Sequence, residues 1–221
     1  MSHWMRNEGM RSRGLITSRS PKSKAAEGYR KLRTSIEMLG RSGSLKTIAV
    51  VSAESGEGRS TTSANIAVAY SQANRKVLLL DSDLRSPALH RIFELRNDKG
   101  LSTVLAGDGD VEVAEVAQRT EIDNLRVVCA GPVPPNPAEL LESEAMTALL
   151  ESAKRSFDIV ILDTAAMQGA SDGLIVADKC DGAVLVIRRG RTKLEAAERA
   201  KESLEASRTQ MIGAVFNRIG R

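Results

Sequence analysis

The stretch Thr47 to Thr61, T-I-A-V-V-S-A-E-S-G-E-G-R-S-T, constrains this chain more than any other. The apolar run Ile48 to Val51 reads as a buried strand. A loop containing Gly56 and Gly58 follows, and Arg59, Ser60 and Thr61 open a segment of helical pattern that extends to Ala73. Strand, glycine loop and helix in that order make a phosphate cradle. Small residues let backbone N–H groups turn inward onto an anion, and the helix N-terminus adds its partial positive charge. A hydroxyl where Ser60 stands can ligate Mg²⁺, and a cation just before it can reach terminal phosphates. Against the strict pattern G-x-x-x-x-G-K-[ST], Ala53 replaces the first glycine and Arg59 replaces the lysine. Alone, the stretch also fits an ordinary glycine-rich turn, so the rest of the chain decides.

At 221 residues and 42% hydrophobic, the chain can bury one good-sized core. It contains no run of eighteen apolar residues and no signal-peptide core, which points to a cytoplasmic protein rather than a membrane-spanning or secreted one. Cys129 and Cys180 lack metal-ligand spacing and read as reduced, buried thiols. The net charge of +4 is unevenly placed: eleven Lys and Arg against three Glu up to Lys46, then twenty-one basic against twenty-five acidic residues. The excess of positive charge therefore belongs to the N-terminal part.

Residues 1–20 read as a basic flexible tail, with Arg6, Arg11, Arg13 and Arg19 among Ser and Gly. Such a tail can also contact an acidic partner, anionic lipid or nucleic acid. Nucleic acid is the weakest of these, because no aromatics are interleaved for stacking, although Trp4 could anchor a docked tail. Pro21 to Leu39 reads as a loop and a helix with Glu27, Arg30 and Arg33 within reach of one face, which by itself indicates a solvated intrahelical pair.

Lys76 to Asp83, K-V-L-L-L-D-S-D, is an apolar strand buried on both faces that ends in Asp81 and Asp83. Like charges at that position need a shared cation or proton. His90, in the following L-R-S-P-A-L-H-R-I-F, is expected to pack or cap. Val104 to Val116 is a weakly defined connection, and Leu125 to Ala130 is a further strand. The proline loop G-P-V-P-P-N-P-A-E-L-L places Asn136 and Pro137 as N-cap and N1 of a helix. Phe157 to Thr164 is an apolar strand ending in Asp163, and Asp181 to Arg188 is another. A helix over Lys193 to Ser207 precedes a last strand, Met211 to Ile219, with Asn217 near its end.

Strands alternating with helices predict an α/β fold, a doubly wound and mostly parallel sheet with helices on both faces. Ligands in such sheets bind at the carboxyl ends of the strands. The glycine loop, Asp81, Asp83, Asp163 and Asn217 all fall there. A cation, a hydroxyl and three carboxylates around an anion-binding loop is the set that a Mg-nucleotide needs.

With those residues in place, the chain from Pro21 to Arg218 resembles the bacterial tyrosine kinases of capsule and exopolysaccharide gene clusters, which are P-loop NTPases related to MinD/ParA-type ATPases. S-A-E-S-G-E-G-R-S-T is similar to the family's Walker A motif, and I-V-I-L-D-T to its Walker B strand. V-L-L-L-D-S-D-L-R-S-P-A-L-H-R-I-F is similar to its Walker A′ segment, the most specific of the signals. The proline loop also matches, and Glu27, Arg30 and Arg33 match the E-x-x-R-x-x-R oligomerisation motif.

The resemblance implies a P-loop kinase domain over 21–221, with an oligomerisation helix at 21–40. It implies ATP and Mg²⁺, with Gly56, Glu57, Gly58, Arg59, Ser60 and Thr61 around the phosphates and Asn217 near the adenine. Ser60, Asp83 and Asp163 would hold the metal. Asp81 would accept the proton of a substrate tyrosine, as one of a catalytic set with Asp83, Arg59 and Asp163. A carboxylate of reference pKa about 4 is a poor base for a phenol of about 10, but a loose phosphoryl-transfer transition state asks little of it. The implied partners are a tyrosine-bearing protein substrate and the cytoplasmic end of a membrane polysaccharide co-polymerase that acts as activator. The resemblance also implies a homo-oligomeric ring through Glu27, Arg30 and Arg33, and a cytoplasmic kinase held peripherally at the inner face of the membrane through that activator.

The chain departs from the family pattern in three ways. Arg59 keeps the charge of the P-loop lysine but exchanges a compact ammonium for a planar fork. Ser55 and Ala165–Ala166 stand where the family tends to have prolines. The family's terminal tyrosine cluster has no counterpart up to Arg221, and the only tyrosines are Tyr29 and Tyr70. Three activities remain open from sequence: a protein-tyrosine kinase, a catalytically weak nucleotide-binding regulator of polysaccharide export, and a partitioning-type ATPase. Glu54 stands where the last class carries its signature lysine, which argues against it.

Overall fold

The short apolar runs between turns do form one sheet. The structure, a computed structural model, describes residues 15–39, 45–107 and 113–217. The first elements are the helices α1 (Ile16–Arg19) and α2 (Lys24–Leu39). Strand β1 (Thr47–Ser52) leads to α3 (Arg59–Ser71), and β2 (Val77–Asp81) to α4 (Leu89–Ile92), α5 (Leu101–Leu105) and α6 (Val113–Val116). Next come β3 (Gln118–Arg119), β4 (Leu125–Val128), α7 (Pro137–Glu142), α8 (Glu144–Ser156) and β5 (Ile159–Asp163). The last elements are α9 (Asp172–Asp178), β6 (Gly182–Arg188), α10 (Leu194–Glu205) and β7 (Gln210–Asn217).

The strand order is β3-β4-β2-β5-β1-β6-β7, and every pairing except β3 with β4 is parallel. The short antiparallel edge strand β3 is not visible in the sequence reading. Side chains alternate across each central strand, so the runs divide between two cores. Ala49, Val51, Leu78, Leu80, Val160 and Leu162 pack toward Leu149 and Ala153 of α8 and Val176 of α9. Ile48, Val50, Leu79 and Ile161 pack toward Ile66 and Val68 of α3 and Ile36 of α2. Full burial of each large aliphatic side chain contributes about 1.5–3 kcal/mol. A dozen of them outweigh any single polar contact, so the sheet can carry charged groups at its carboxyl end.

The N-terminal boundary differs from the expected tail. Residues 15–19 are part of the fold, because Thr17 is fully buried, its N–H donates to Asn65 Oδ1 (2.9 Å), and its carbonyl accepts from Gln72 Nε2 (3.2 Å). Leu15 packs on the core beside α3. Trp4, Arg6, Arg11 and Arg13 lie outside the described residues. In the segment read as a weak connection, α5 and α6 form, and 108–112 lie outside the described residues. Asn136 and Pro137 do stand at N-cap and N1 of α7, but Asn136 makes no side-chain cap and donates to Glu139 Oε2 instead (2.6 Å). Cys129 and Cys180 are free and buried, and burial pushes the Cys129 thiol up to about 12. His90 is half-buried on α4. Among the described residues no helix is long and apolar enough to cross a membrane.

Because Asn65 satisfies a buried backbone donor of α1, Asn65→Ala should cost about 1–3 kcal/mol in urea unfolding and speed tryptic cleavage at Arg19 and Lys22. A loss under about 0.5 kcal/mol would show that α1 is not held by this contact.

Candidate active site

The loop between β1 and α3 turns on two left-handed glycines, Gly56 (φ 78°) and Gly58 (φ 88°). Nothing lies within 4 Å of a Cβ built on Gly56, so conformation rather than space restricts that position. Gly58 is the N-cap of α3 and offers no side-chain acceptor, which leaves the first helical N–H groups for another partner. The loop is braced from outside: Arg188 Nη1 donates to the Gly56 carbonyl (3.3 Å) and Asn217 Nδ2 to the Glu57 carbonyl (3.1 Å). In a trans peptide C=O and N–H point opposite ways. The N–H groups of Glu57 and Gly58 therefore face away from these braces, as an anion cradle requires.

Glu57 lies in the loop, and its side chain is engaged within the protein. Its side chain is 2% exposed, accepts from the Glu54 N–H (3.0 Å) and is held by the Thr192 hydroxyl. The carboxylate is spent holding the loop, and only its backbone amide remains for an anion.

Parallel pairing of β2 with β5 sets Asp81 directly beside Asp163. Both are fully buried, and Asp83 is 6% exposed. Asp81 Oδ2 accepts from the N–H groups of Ala88 (3.0 Å) and Leu89 (2.9 Å), so the carboxylate also fixes the start of α4. Asp83 Oδ1 accepts from the Ser86 N–H (3.0 Å). Asp163 Oδ1 accepts from Ser63 Oγ (3.0 Å), and the Ser60 hydroxyl also bonds to this carboxylate.

Arg59, the first residue of α3, turns into this cluster rather than out along the loop. Its Nη2 lies 2.6 Å from Asp83 Oδ2, Nη1 donates to Ser52 Oγ (2.9 Å), and Nε lies 3.4 Å from Asp163 Oδ1 without hydrogen-bond geometry. Sequence reasoning brought Arg59 to the site but aimed it at phosphate. Outside the cluster, Arg85 grips the buried Asp172 of α9 with two hydrogen bonds (2.7 and 3.2 Å), tying the loop after β2 to the segment after β5.

Burial pushes the Asp81 carboxyl up to about 8, aided by the charges of Asp163 and Asp83 and opposed by the two amides. Burial also raises Asp163, against the pull of Arg59, Ser60 and Ser63. Asp81 Oδ1 and Asp163 Oδ2 are buried without a hydrogen-bond partner. Asp163 Oδ2, with the hydroxyl of Ser60 alongside, is a hard donor of the kind that magnesium takes, so these residues fit the ion, while Asp81 Oδ1 remains open to a proton. Among the described residues no three His, Cys, Asp or Glu side chains already converge as a metal-holding group. The guanidinium of Arg59 stands among the acids.

The remaining expected residues divide. Gly56, Gly58, Ser60 and Thr61 lie on the loop and helix start, with Asn217 touching the loop. Glu27 pairs with Arg30 inside α2 (2.7 Å), while Arg33 turns inward and donates to Ala69 O at the end of α3 (3.0 Å). The braces Arg188 and Thr192 and the partners Ser52 and Ser63 carry no sequence signal, since polar residues near a strand end are common.

An Asp81 that keeps its proton to about 8 has a consequence for stability. Unfolded, it loses the proton near pH 4, so the native state holds more protons between these values and its stability falls as pH rises through that window. In EDTA, the thermal midpoint should drop from about pH 6 to about pH 8.5, and Asp81→Asn should flatten that drop. An identical slope in both proteins would contradict the assignment.

Comparison with known proteins places residues 48–221 in the CobQ/CobB/MinD/ParA nucleotide binding domain family. The chain is 42% identical over 213 residues to tyrosine-protein kinase YwqD of Bacillus subtilis, covering 96% of this chain and 89% of that one. Among solved structures, the chimerical protein CapA2B2 superposes with a TM-score of 0.88 at 34% identity, covering 94% of this chain and 91% of that one. The kinase domain of the Escherichia coli tyrosine kinase ETK gives 0.87 at 32% identity, covering 93% and 80%.

Proposed function

We propose, for a chain that belongs to the bacterial tyrosine-protein kinases and carries their CobQ/CobB/MinD/ParA-type domain, that this site moves the γ-phosphoryl group of ATP to a tyrosine of another protein. The observation that carries the reading is the cluster of Asp81, Asp83 and Asp163 at adjacent strand ends, facing the glycine loop and its arginine. Such a set suits phosphoryl transfer, in which positioning and charge neutralisation supply most of the rate.

The amides of Glu57 and Gly58, with those opening α3 at Ser60 and Thr61, would receive the phosphates, and Asn217 would lie beside the adenine. Ser60, Asp83 and Asp163 would hold Mg²⁺, which when bound supplies neutralisation of the phosphate charge. The phenol oxygen of the substrate forms the new P–O bond, the bond to the leaving ADP oxygen breaks, and the phenolic proton passes to Asp81. Asp81 Oδ1, buried without a hydrogen-bond partner, is the oxygen open to that proton.

Neither of the two described tyrosines is a ready acceptor. Tyr70 is 3% exposed and Tyr29 is half-buried on α2, and burial raises both hydroxyls above the ordinary phenol range. Glu27 and Arg30 are the surface pair available for assembly into a ring, whereas Arg33 is engaged with α3. The reading extends to regulation of capsule and exopolysaccharide production, at the inner face of the membrane and through a membrane-protein activator.

Phosphotyrosine formation on a tyrosine-bearing acceptor protein with Mg-ATP tests the proposal. The parent should transfer, and Asp81→Ala should lose about 10²–10⁴-fold in kcat. Transfer unchanged in Asp81→Ala would overturn the assignment, and no transfer to any acceptor would overturn the function. For assembly, Glu27→Ala with Arg30→Ala should lower the mass measured by light scattering while stability stays within about 0.5 kcal/mol of the parent. An unchanged mass would remove this pair from the interface.

A further inference from the structure

The contacts of Arg59 bear on when the metal can bind. Asp83 has both oxygens occupied: Oδ1 by the Ser86 N–H, and Oδ2 by Arg59 Nη2 at 2.6 Å. Among the described residues Arg59 is the cation in contact with Asp83 and Asp163, and its side chain is only 9% exposed. Ser52 Oγ fixes the other end of the guanidinium from the floor of the loop. A planar fork can span two acids in this way, and a lysine ammonium at the same place would be a single point of charge. The arginine thus neutralises the acids that the reading above assigns to magnesium, and uses one of the same oxygens.

We propose that Arg59 is the resident counter-cation of Asp83 and Asp163, exchanged for the divalent ion only when a phosphate-bearing ligand draws the guanidinium out of the cluster. The inference rests on the phosphoryl-transfer reading for the identity of that ligand. Its physical content lies in this chain's own residues. A guanidinium seated on Asp83 Oδ2 repels a divalent ion approaching the same oxygen, so the ion favours the fraction of molecules in which Arg59 has left, and its apparent affinity falls accordingly. Phosphate oxygens on the loop offer the fork a second bidentate partner. Ligand binding raises the metal-competent fraction, and by linkage the metal strengthens ligand binding by the same factor. The arginine at this position then acts as an interlock: the ion is admitted with the nucleotide and excluded without it.

The test uses the full chain without nucleotide and Mn²⁺ alone as the probe, read by electron paramagnetic resonance of the free ion and by thermal unfolding. The parent should bind Mn²⁺ weakly. Arg59→Met, which removes the competing charge, should bind it at least about tenfold more tightly. In EDTA the variant should melt below the parent, since its acids have lost their cation, and Mn²⁺ should recover most of that difference. If Arg59→Met does not fold without metal, Arg59→Lys decides: a single ammonium holds fewer of the acid oxygens, and Mn²⁺ affinity should rise severalfold. Equal or weaker Mn²⁺ binding in the variant that folds overturns the inference. No phosphotransfer enters this measurement. A chain that transfers phosphate but binds Mn²⁺ equally in parent and variant would sink the interlock alone, and a chain that shows the Mn²⁺ difference but phosphorylates nothing would sink only the kinase reading.

Discussion

Three carboxylates held close together away from water are the constraint on which the rest of this structure depends. The parallel register of β2 and β5 leaves no freedom here: with Asp81 as the last residue of one strand and Asp163 as the last of its neighbour, the two acids are adjacent. Burying such a pair uncompensated would drive a proton onto it or unfold the sheet end. The molecule meets the cost with several donors. The N–H groups of Ala88 and Leu89 hold Asp81, Ser63 holds Asp163, and Arg59 bridges Asp163 and Asp83. Each donor fixes a piece of local structure, so α4, the start of α3 and the loop after β2 are all positioned by the acids they serve.

Arg59 links this electrostatic arrangement to function. Removing one partner of a buried ion pair typically costs about 3–5 kcal/mol, because the other charge is left exposed to a low dielectric. A cation that must eventually yield its place to another ion is therefore a stabiliser in one state and an obstacle in the next. The outside braces, Arg188 to Gly56, Asn217 to Glu57 and Thr192 to Glu57, keep the loop in shape while that exchange occurs.

Much of the fold was legible from sequence because the central strands are uninterrupted apolar runs ending in acids, a pattern that only a doubly covered parallel sheet accommodates. The site was legible for the same reason, since the carboxyl ends of such strands converge. What the sequence did not disclose depends on tertiary contacts. Strand β3 is two residues long and has no apolar run to announce it. Helix α1 lies beside basic residues that resemble a solvated tail, and its contacts with Asn65 and Gln72 of the distant α3 region make it part of the domain. The place of the Glu57 carboxylate is likewise set from afar, by Thr192, 135 positions away. The direction in which Arg59 points was not legible either, because a long side chain at a helix start can reach outward to an anion or inward to an acid. Asp83 and Asp163, far off in sequence, decide it.

The measurement that tests this account most directly is a pair of crystal structures of the chain, one free of nucleotide and one with Mg-ADP. The account predicts that the Arg59 guanidinium contacts Asp83 and Asp163 in the first. In the second it should lie on phosphate oxygens, with magnesium against Ser60, Asp83 and Asp163. An arginine that stays on Asp83 in both structures, or that already faces the loop in the free protein, would contradict it.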